Sequence, residues 1–306
     1  MTYRIIQKGK IWISISIVLV ILAITAISMW GLKMGIDFTG GSLLEAKFIG
    51  QNQPNTLEVQ DALKGIELNS LTIQPAETSF ILRFQESSED IHQKVLVNLK
   101  KLAAQKNKEA NNFEELNFTS IGPSIGQEMQ RKAISAIILV LIAISVYIAF
   151  AFRKVSKPVA SWKYGSVTLI ALFHDVLIVI GFFAILGHFW GVEVNTSFVA
   201  AILTVLGFSV HDTIVVFDRV RENLPKSDTD FENTVNRSVN QTLVRSVNTS
   251  MTVILVMLAI VLFGGASIKY FSLALLVGVF FGTYSSIFLA SPLLVIAEKM
   301  QNKKKK

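Results

Sequence analysis

The chain has no cysteine. Disulfides and thiolate metal sites are therefore excluded, and the redox compartment stays open. Charge is scarce too. Lys, Arg, Asp and Glu make up 17% of the 306 residues, where a soluble domain carries about 25%. Nucleotide-binding signatures are missing as well: neither GxxxxGK[ST] nor GxGxxG occurs. Any work done by this protein must draw on an ion gradient or on a partner.

Apolar residues take the place of charge. They form 51% of the chain, and the mean hydropathy is +0.51. About 20 apolar residues cross a bilayer as a helix. Six runs reach that length: 11–30, 133–152, 164–187, 194–217, 246–264 and 270–297. The first exceeds the roughly 7–15 residues of a signal-peptide core and ends in Met29-Trp30, so it reads as a retained anchor. The predicted organisation has a tail over 1–10 and a separate domain over 31–132. A five-helix membrane domain over 133–306 ends in a basic C-terminal tail.

The positive charge is distributed by topology. Residues 31–132 are net −2 and the remainder +9. Cytoplasmic loops are enriched in Lys and Arg. Here 17 of the 18 basic residues outside 31–132 fall on one side of the six-span scheme. They are Arg4, Lys8 and Lys10; Arg153, Lys154, Lys157 and Lys163; Arg219, Arg221, Lys226, Arg237 and Arg245; and Lys299 with Lys303 to Lys306. The expectation is cytoplasmic termini and an external 31–132 domain. The terminal lysines are read as an anchor near anionic lipid, not as a nucleic-acid patch.

The external domain reads as βαββαβ, the ferredoxin-like order. Residues 42–48, 70–74, 79–84 and 113–122 are strand candidates. A helix capped by Asn55 or Thr56 is expected to close at Gly65, and 87–105 forms an amphipathic helix through Ile91, Val95, Leu96, Leu99 and Leu102. No catalytic cluster is present, and His92 is placed on the surface.

Ionisable residues inside spans are rare and mark ion pathways or proton relays. Asp175 lies midway along the third span, Asp212 in the fourth, and Arg245 at the start of the fifth. Ser209 shares a helical face with Asp212, as Thr168 does with Asp175. Arg237, Gln241, Arg245, Asn248 or Thr249, and Thr252 recur every three to four residues. That stripe offers Asp212 a partner in Arg245. Desolvation favours the neutral form of a carboxyl and a nearby guanidinium the ionised form, so an acid between them can exchange a proton. In each of the two His-Asp pairs, 174–175 and 211–212, the adjacent side chains point about 100° apart on a helix, so one metal would need a ligand from each span. Metal binding is therefore not expected, and both histidines read as packing. Asp218 and Arg219 read as a solvated helix end.

Four segments carry a resemblance. "GIDFTGG" (35–41) and "IGPSIGQEM" (121–129) resemble the two signatures of the SecD/SecF family, accessory subunits of the bacterial Sec protein-export machinery. "HDTIVVFDRVREN" (211–223) and "NQTLVRSVNTS" (240–250) are similar to the SecF side of that family. The resemblance implies a multi-pass plasma-membrane protein whose membrane part is like that of resistance–nodulation–division transporters. It implies no enzymatic activity and no cofactor. The implied partners are SecD, the SecYEG channel, YajC and an exported unfolded polypeptide, with export assisted by the proton motive force. By motif, Asp212 matches the family's intramembrane acid and Arg245 its partner arginine. Asp175 falls in the third-span segment, and Gly35, Asp37, Phe38, Thr39, Gly40 and Gly41 match the first signature. Ser209, Gln241 and Thr249 are expected to support the acid. Two other functions stay open on the residues: a homodimeric proton-driven exporter of small molecules or lipids, and a passive scaffold for SecD.

Overall fold

The computed structural model describes residues 3–50, 52–76, 78–107, 112–153 and 159–303. Lys154, Lys157 and Lys304 to Lys306, part of the charge pattern above, lie outside the described residues. The chain divides into two compact units, residues 34–133 and residues 1–33 with 134–306.

The smaller unit begins with a single helical turn, α2 (Ile36–Thr39), which follows α1 (Gly9–Trp30). Then come β1 (Gly41–Phe48), α3 (Thr56–Leu63), β2 (Thr72–Pro75), β3 (Phe80–Phe84), α4 (Glu89–Lys106) and β4 (Phe113–Ile121). The four strands form one antiparallel sheet in the order β2-β3-β1-β4, the ferredoxin-like arrangement. Alternation sets the sheet's buried face: Leu44, Ala46 and Phe48 from β1 meet Phe80, Leu82 and Phe84 from β3. Val59 and Leu63 of α3, with Val95, Leu99 and Leu102 of α4, close the core. Truncating a fully buried leucine such as Leu99 costs about 2–5 kcal/mol. Asn55 and Glu58 make a reciprocal capping box at the start of α3. The helix stops at Leu63, and Gly65 does not take positive φ. Its end is closed instead by backbone bonds from Lys64 to Asp61 and from Ile66 to Leu63.

The larger unit holds the long helices. They are α1, α5 (Pro123–Ala151), α6 (Ser161–Trp190), α7 (Thr196–Asn223) and α8 (Phe231–Phe263). α9 (Ala266–Ser285) runs through a π-helical turn (Ser286–Ala290) into α10 (Ser291–Lys303). Among the described residues, six helical stretches are long and apolar enough to cross a membrane. Two helices start earlier than the apolar runs suggest, because polar residues can extend a helix beyond its apolar stretch. α5 opens at Pro123, a favoured first-turn residue. α8 opens at Phe231 behind an Asp230 cap.

The helices are not equally buried. α6, α7 and α9 supply most of the interior, including Tyr164, Leu172, Phe183, Ile202, Leu206 and Phe217. α5 turns Ile134, Ile138, Leu139, Ile142 and Val146 outward, as a helix facing lipid does. Small residues allow close approach in the interior. A methyl on Gly181 would stand 2.6 Å from the Cα of Ala23 in α1. One on Gly282 of α9 would stand 3.1 Å from the Cβ of Ser209 in α7.

Candidate functional site

α7 is capped by Asn195, whose side chain accepts from the Phe198 amide at 3.0 Å. Helical period then places Ser209, Asp212, Thr213 and Val216 on one buried face. Asp212 is 7% exposed. Its Oδ2 accepts from Thr283 Oγ1 of α9 at 3.1 Å and from Ser250 Oγ of α8 at 3.3 Å. The acid therefore sits where three spans meet. Each hydroxyl has a second acceptor on its own helix: Val279 O for Thr283 at 3.0 Å and Ser246 O for Ser250 at 2.9 Å. A hydroxyl is both donor and acceptor. When the carboxyl is ionised, both hydroxyls can donate to it. When it is protonated, it can donate to one of them while that hydroxyl turns to its backbone carbonyl. Neither state leaves the site unsatisfied.

Arg245 does not take part in this arrangement. Its side chain is exposed, and among the described residues no ion pair joins it to Asp212. Arg245 precedes Ser250 by five residues, which turns it about 140° around the helix. α8 in fact carries two polar stripes. Arg237, Gln241, Arg245, Asn248, Thr249 and Thr252 face outward. Ser238, Thr242, Ser246 and Ser250, spaced by four, face inward, and this second stripe reaches the acid. Gln241 Oε1 accepts from Arg219 Nε at 2.7 Å and Asn223 Nδ2 at 2.8 Å. Thr249 donates to the Arg245 carbonyl at 2.9 Å.

Ser209 supports the other acid. Asp175 is fully buried. Its Oδ2 accepts from Ser209 Oγ at 2.6 Å and from Ser285 Oγ at 2.7 Å, and its Oδ1 lies 2.9 Å from His174 Nδ1. Adjacent side chains thus meet despite leaving the helix in different directions, because the imidazole is long enough to fold back onto its neighbour. Thr168 donates to the Tyr164 carbonyl instead. His211, expected as packing, is exposed on the outer side of α7. Among the described residues no group of three or more His, Asp or Glu could hold a metal ion. Asp218 pairs with Arg221 and Arg219 with Glu222, both at the surface, where such pairs are worth about 0–1 kcal/mol.

The residues missed at the sequence level are Ser250, Thr283, Ser285 and Ser286. Ser286 donates to the Ser209 carbonyl at 3.3 Å and lies 2.9 Å from Thr213 Oγ1. It opens the π-helical turn, a feature frequent at functional sites. The available signal was the density of hydroxyls in "GTYSSIFLAS" (282–291), within an otherwise apolar span.

The 35–41 signature folds as a tight turn. Gly35 O accepts from the Phe38 and Thr39 amides, and Gly40 and Gly41 have φ of +77° and +125°. Asp37 lies in the turn's first residues, and Phe38 is buried. A methyl on Gly40 would meet the Cα of Pro123 at 2.8 Å, and one on Gly126 would meet the Gly40 nitrogen at 2.8 Å. The two signatures therefore pack backbone to backbone, and only glycine fits at that approach. His92 is buried, not at the surface. Its ring lies 3.6 Å from that of Phe118, and its two nitrogens lie 3.1 Å from Glu89 and 3.0 Å from Glu115.

Comparison with known proteins gives concordant matches. A family described as "Protein export membrane protein SecD/SecF, C-terminal" matches residues 100–300, and a "SecD/SecF GG Motif" matches residues 31–48. The protein translocase subunit SecF of Thermobaculum terrenum is 47% identical over 294 residues, covering 92% of this chain and 89% of that one. Its counterpart in Anaerolinea thermophila is 38% identical over 299 residues, covering 96% and 94%. The crystal structure of SecDF, a translocon-associated membrane protein from Thermus thermophilus, superposes with a TM-score of 0.81 at 31% identity. It covers 99% of this chain, which spans 39% of the SecDF chain.

Proposed function

Because the chain belongs to the SecD/SecF family of protein-export membrane proteins, we propose that it is an accessory subunit of the Sec translocase that, with SecD, couples the proton motive force to late steps of protein export. Asp212 is the residue that takes up and releases the proton. The observation that supports this role is the hydroxyl cage around it. Thr283 and Ser250 bond the carboxyl in either proton state, while among the described residues no lysine or arginine pairs with it. Moving one charge across the membrane field is worth about 2.3 kcal/mol per 100 mV, enough to bias the helices that the acid joins.

The charge asymmetry supports cytoplasmic termini and an external ferredoxin-like unit in the plasma membrane of a bacterium. A guanidinium facing hydrocarbon is costly, so the outward stripe through Arg245 is the face on which a membrane partner sits. SecD is that partner. SecYEG and YajC are the further partners that the family implies, and an unfolded exported chain is the substrate.

The test is Asp212→Asn, compared with Asp212→Glu, in proton-motive-force-stimulated export into inverted vesicles. The amide variant should lose the stimulation while still copurifying with SecD. Undiminished stimulation would refute the proton role and leave a scaffold. Recovery of a homodimer free of Sec components would instead favour a stand-alone exporter.

A further inference from the structure

His174 and Asp175 are left without work by the proton route through Asp212. Their geometry is specific. When Asp175 is ionised its carboxylate only accepts hydrogen bonds, and across the 2.9 Å contact with Oδ1 His174 Nδ1 is then the donor. Nε2 then carries a bare lone pair. It is buried and has no hydrogen-bond partner among the described residues, although His174 is 3% exposed. Buried polar atoms are normally satisfied.

The groups packed around the pair come from three other helices. α7 supplies Ser209, with Asp212 one turn further on. α9 supplies Ser285 and Tyr284, whose ring centroid lies 6.3 Å from that of His174. From α1, Ser16 Oγ lies 3.4 Å from the Tyr284 hydroxyl, which donates to the Trp12 carbonyl. None of these is a cation.

We propose that His174 and Asp175 form a second proton-binding site, in which Nε2 takes up the proton. Resting on the reading that this bundle carries protons, the site supplies a store beside Asp212. The balance is simple. The Nε2 lone pair accepts one proton, the ring becomes imidazolium, and the Asp175 carboxylate neutralises it at Nδ1–H. The pair passes from net −1 to net zero without a co-reactant, and release reverses the step. Ser285 can follow the change, since its hydroxyl also reaches the Gly282 carbonyl at 3.1 Å. Asp175 is bonded to Ser209 on the same α7 face that carries Asp212, so the two acids lie on one side of that helix.

The experiment is nitrogen NMR of the full chain, labelled on histidine and reconstituted in lipid with its copurifying partner. His174→Gln identifies the His174 signals by their loss. As the pH is lowered from about 9 to about 5, Nε2 should pass from bare to protonated while Nδ1 stays protonated throughout. Asp175→Asn should abolish that pattern by removing the acceptor that fixes Nδ1. A Nε2 signal unchanged across the range, or an Asp175→Asn spectrum identical to that of the parent, would overturn the proposal. Asp212→Asn separates the two readings. Export lost with His174 still titrating supports the second site, and a silent His174 with Asp212-dependent export refutes the second site alone.

Discussion

Carboxylates are held differently in the two units. In the ferredoxin-like unit several meet cations or an imidazole, while Glu45 accepts from the Ser79 hydroxyl and Glu86 from Asn69. Glu58 pairs with Lys106 at 2.5 Å, and Glu89 and Glu115 flank His92. In the membrane unit Asp175 and Asp212 meet hydroxyls from neighbouring helices, with His174 the one ionisable neighbour in bonding contact among the described residues. A lysine holds a carboxylate in its charged form, and beside water that costs little. Inside a bilayer a permanent ion pair carries a large desolvation penalty. A hydroxyl can donate or accept, so it satisfies the acid whichever way the proton lies. The two buried acids of the membrane unit are surrounded by groups that can reverse their role.

The two buried acids also differ from each other. Asp175 is fully buried and has three short bonds, to α6, α7 and α9. Asp212 is slightly open, and its two bonds are longer. Replacing Asp175 with Ala should produce the largest loss of stability. It leaves the buried Ser209 hydroxyl and an imidazole without their acceptor, while Ser285 keeps the Gly282 carbonyl, a break that costs about 3–5 kcal/mol by analogy with broken buried pairs. Asp212→Ala should cost about 1–2 kcal/mol, since Thr283 and Ser250 keep their backbone acceptors. Thermal unfolding of the purified chain in detergent measures both. Equal losses would erase the distinction between a tightly held acid and a free one.

The ferredoxin-like unit offers the counterpart. His92→Ala removes a ring stacked on Phe118 and separates Glu89 of α4 from Glu115 of β4. The expected cost is about 2–4 kcal/mol, read as lost hydrogen-exchange protection in α4 and β4. Protection in α6 and α7 should not change. A loss spreading into those helices would mean that the units do not hold their carboxylates independently.

The sequence displayed these features unevenly. Length and hydropathy located the six helices, and alternation located the strands, because both depend on local pattern. The same local logic could have placed His92. Residues 92, 95, 96 and 99 share one stripe, so its burial follows from the period of α4. The positive φ of Gly40 and Gly41 was likewise legible, since glycine pairs mark such turns. What a single helix could not reveal was the partner across the bundle. Ser209 looked like a neighbour of Asp212 by spacing, yet it bonds to Asp175 on a different span. The conspicuous stripe through Arg245 faces outward, while the plainer ladder of Ser238, Thr242, Ser246 and Ser250 faces in. Large charged residues attract the eye, but the interior of an apolar bundle selects small hydroxyls that pack closely and bond back to their own helix.

The smallest effect is expected at Glu58, and it tests the charged half of the contrast. A hydrogen bond from Lys106, followed by one from the Asn55 amide, holds the Glu58 carboxyl below the usual carboxylate range. A carboxyl with a lowered folded-state pKa contributes stability above its unfolded value of about 4.3, and that contribution fades as pH falls through the folded value. Glu58→Gln should therefore lower the melting temperature of the ferredoxin-like unit slightly at neutral pH. The gap should close as the solution is taken below about pH 3, where the parent carboxyl is also neutral. High salt should shrink it as well, because the pair is exposed to solvent. Proton-stimulated export should be unchanged, since this carboxylate is fixed in one charge state across the working range. A melting difference that persisted in acid would mean that Glu58 acts through the shape of the α3 cap and not through its charge.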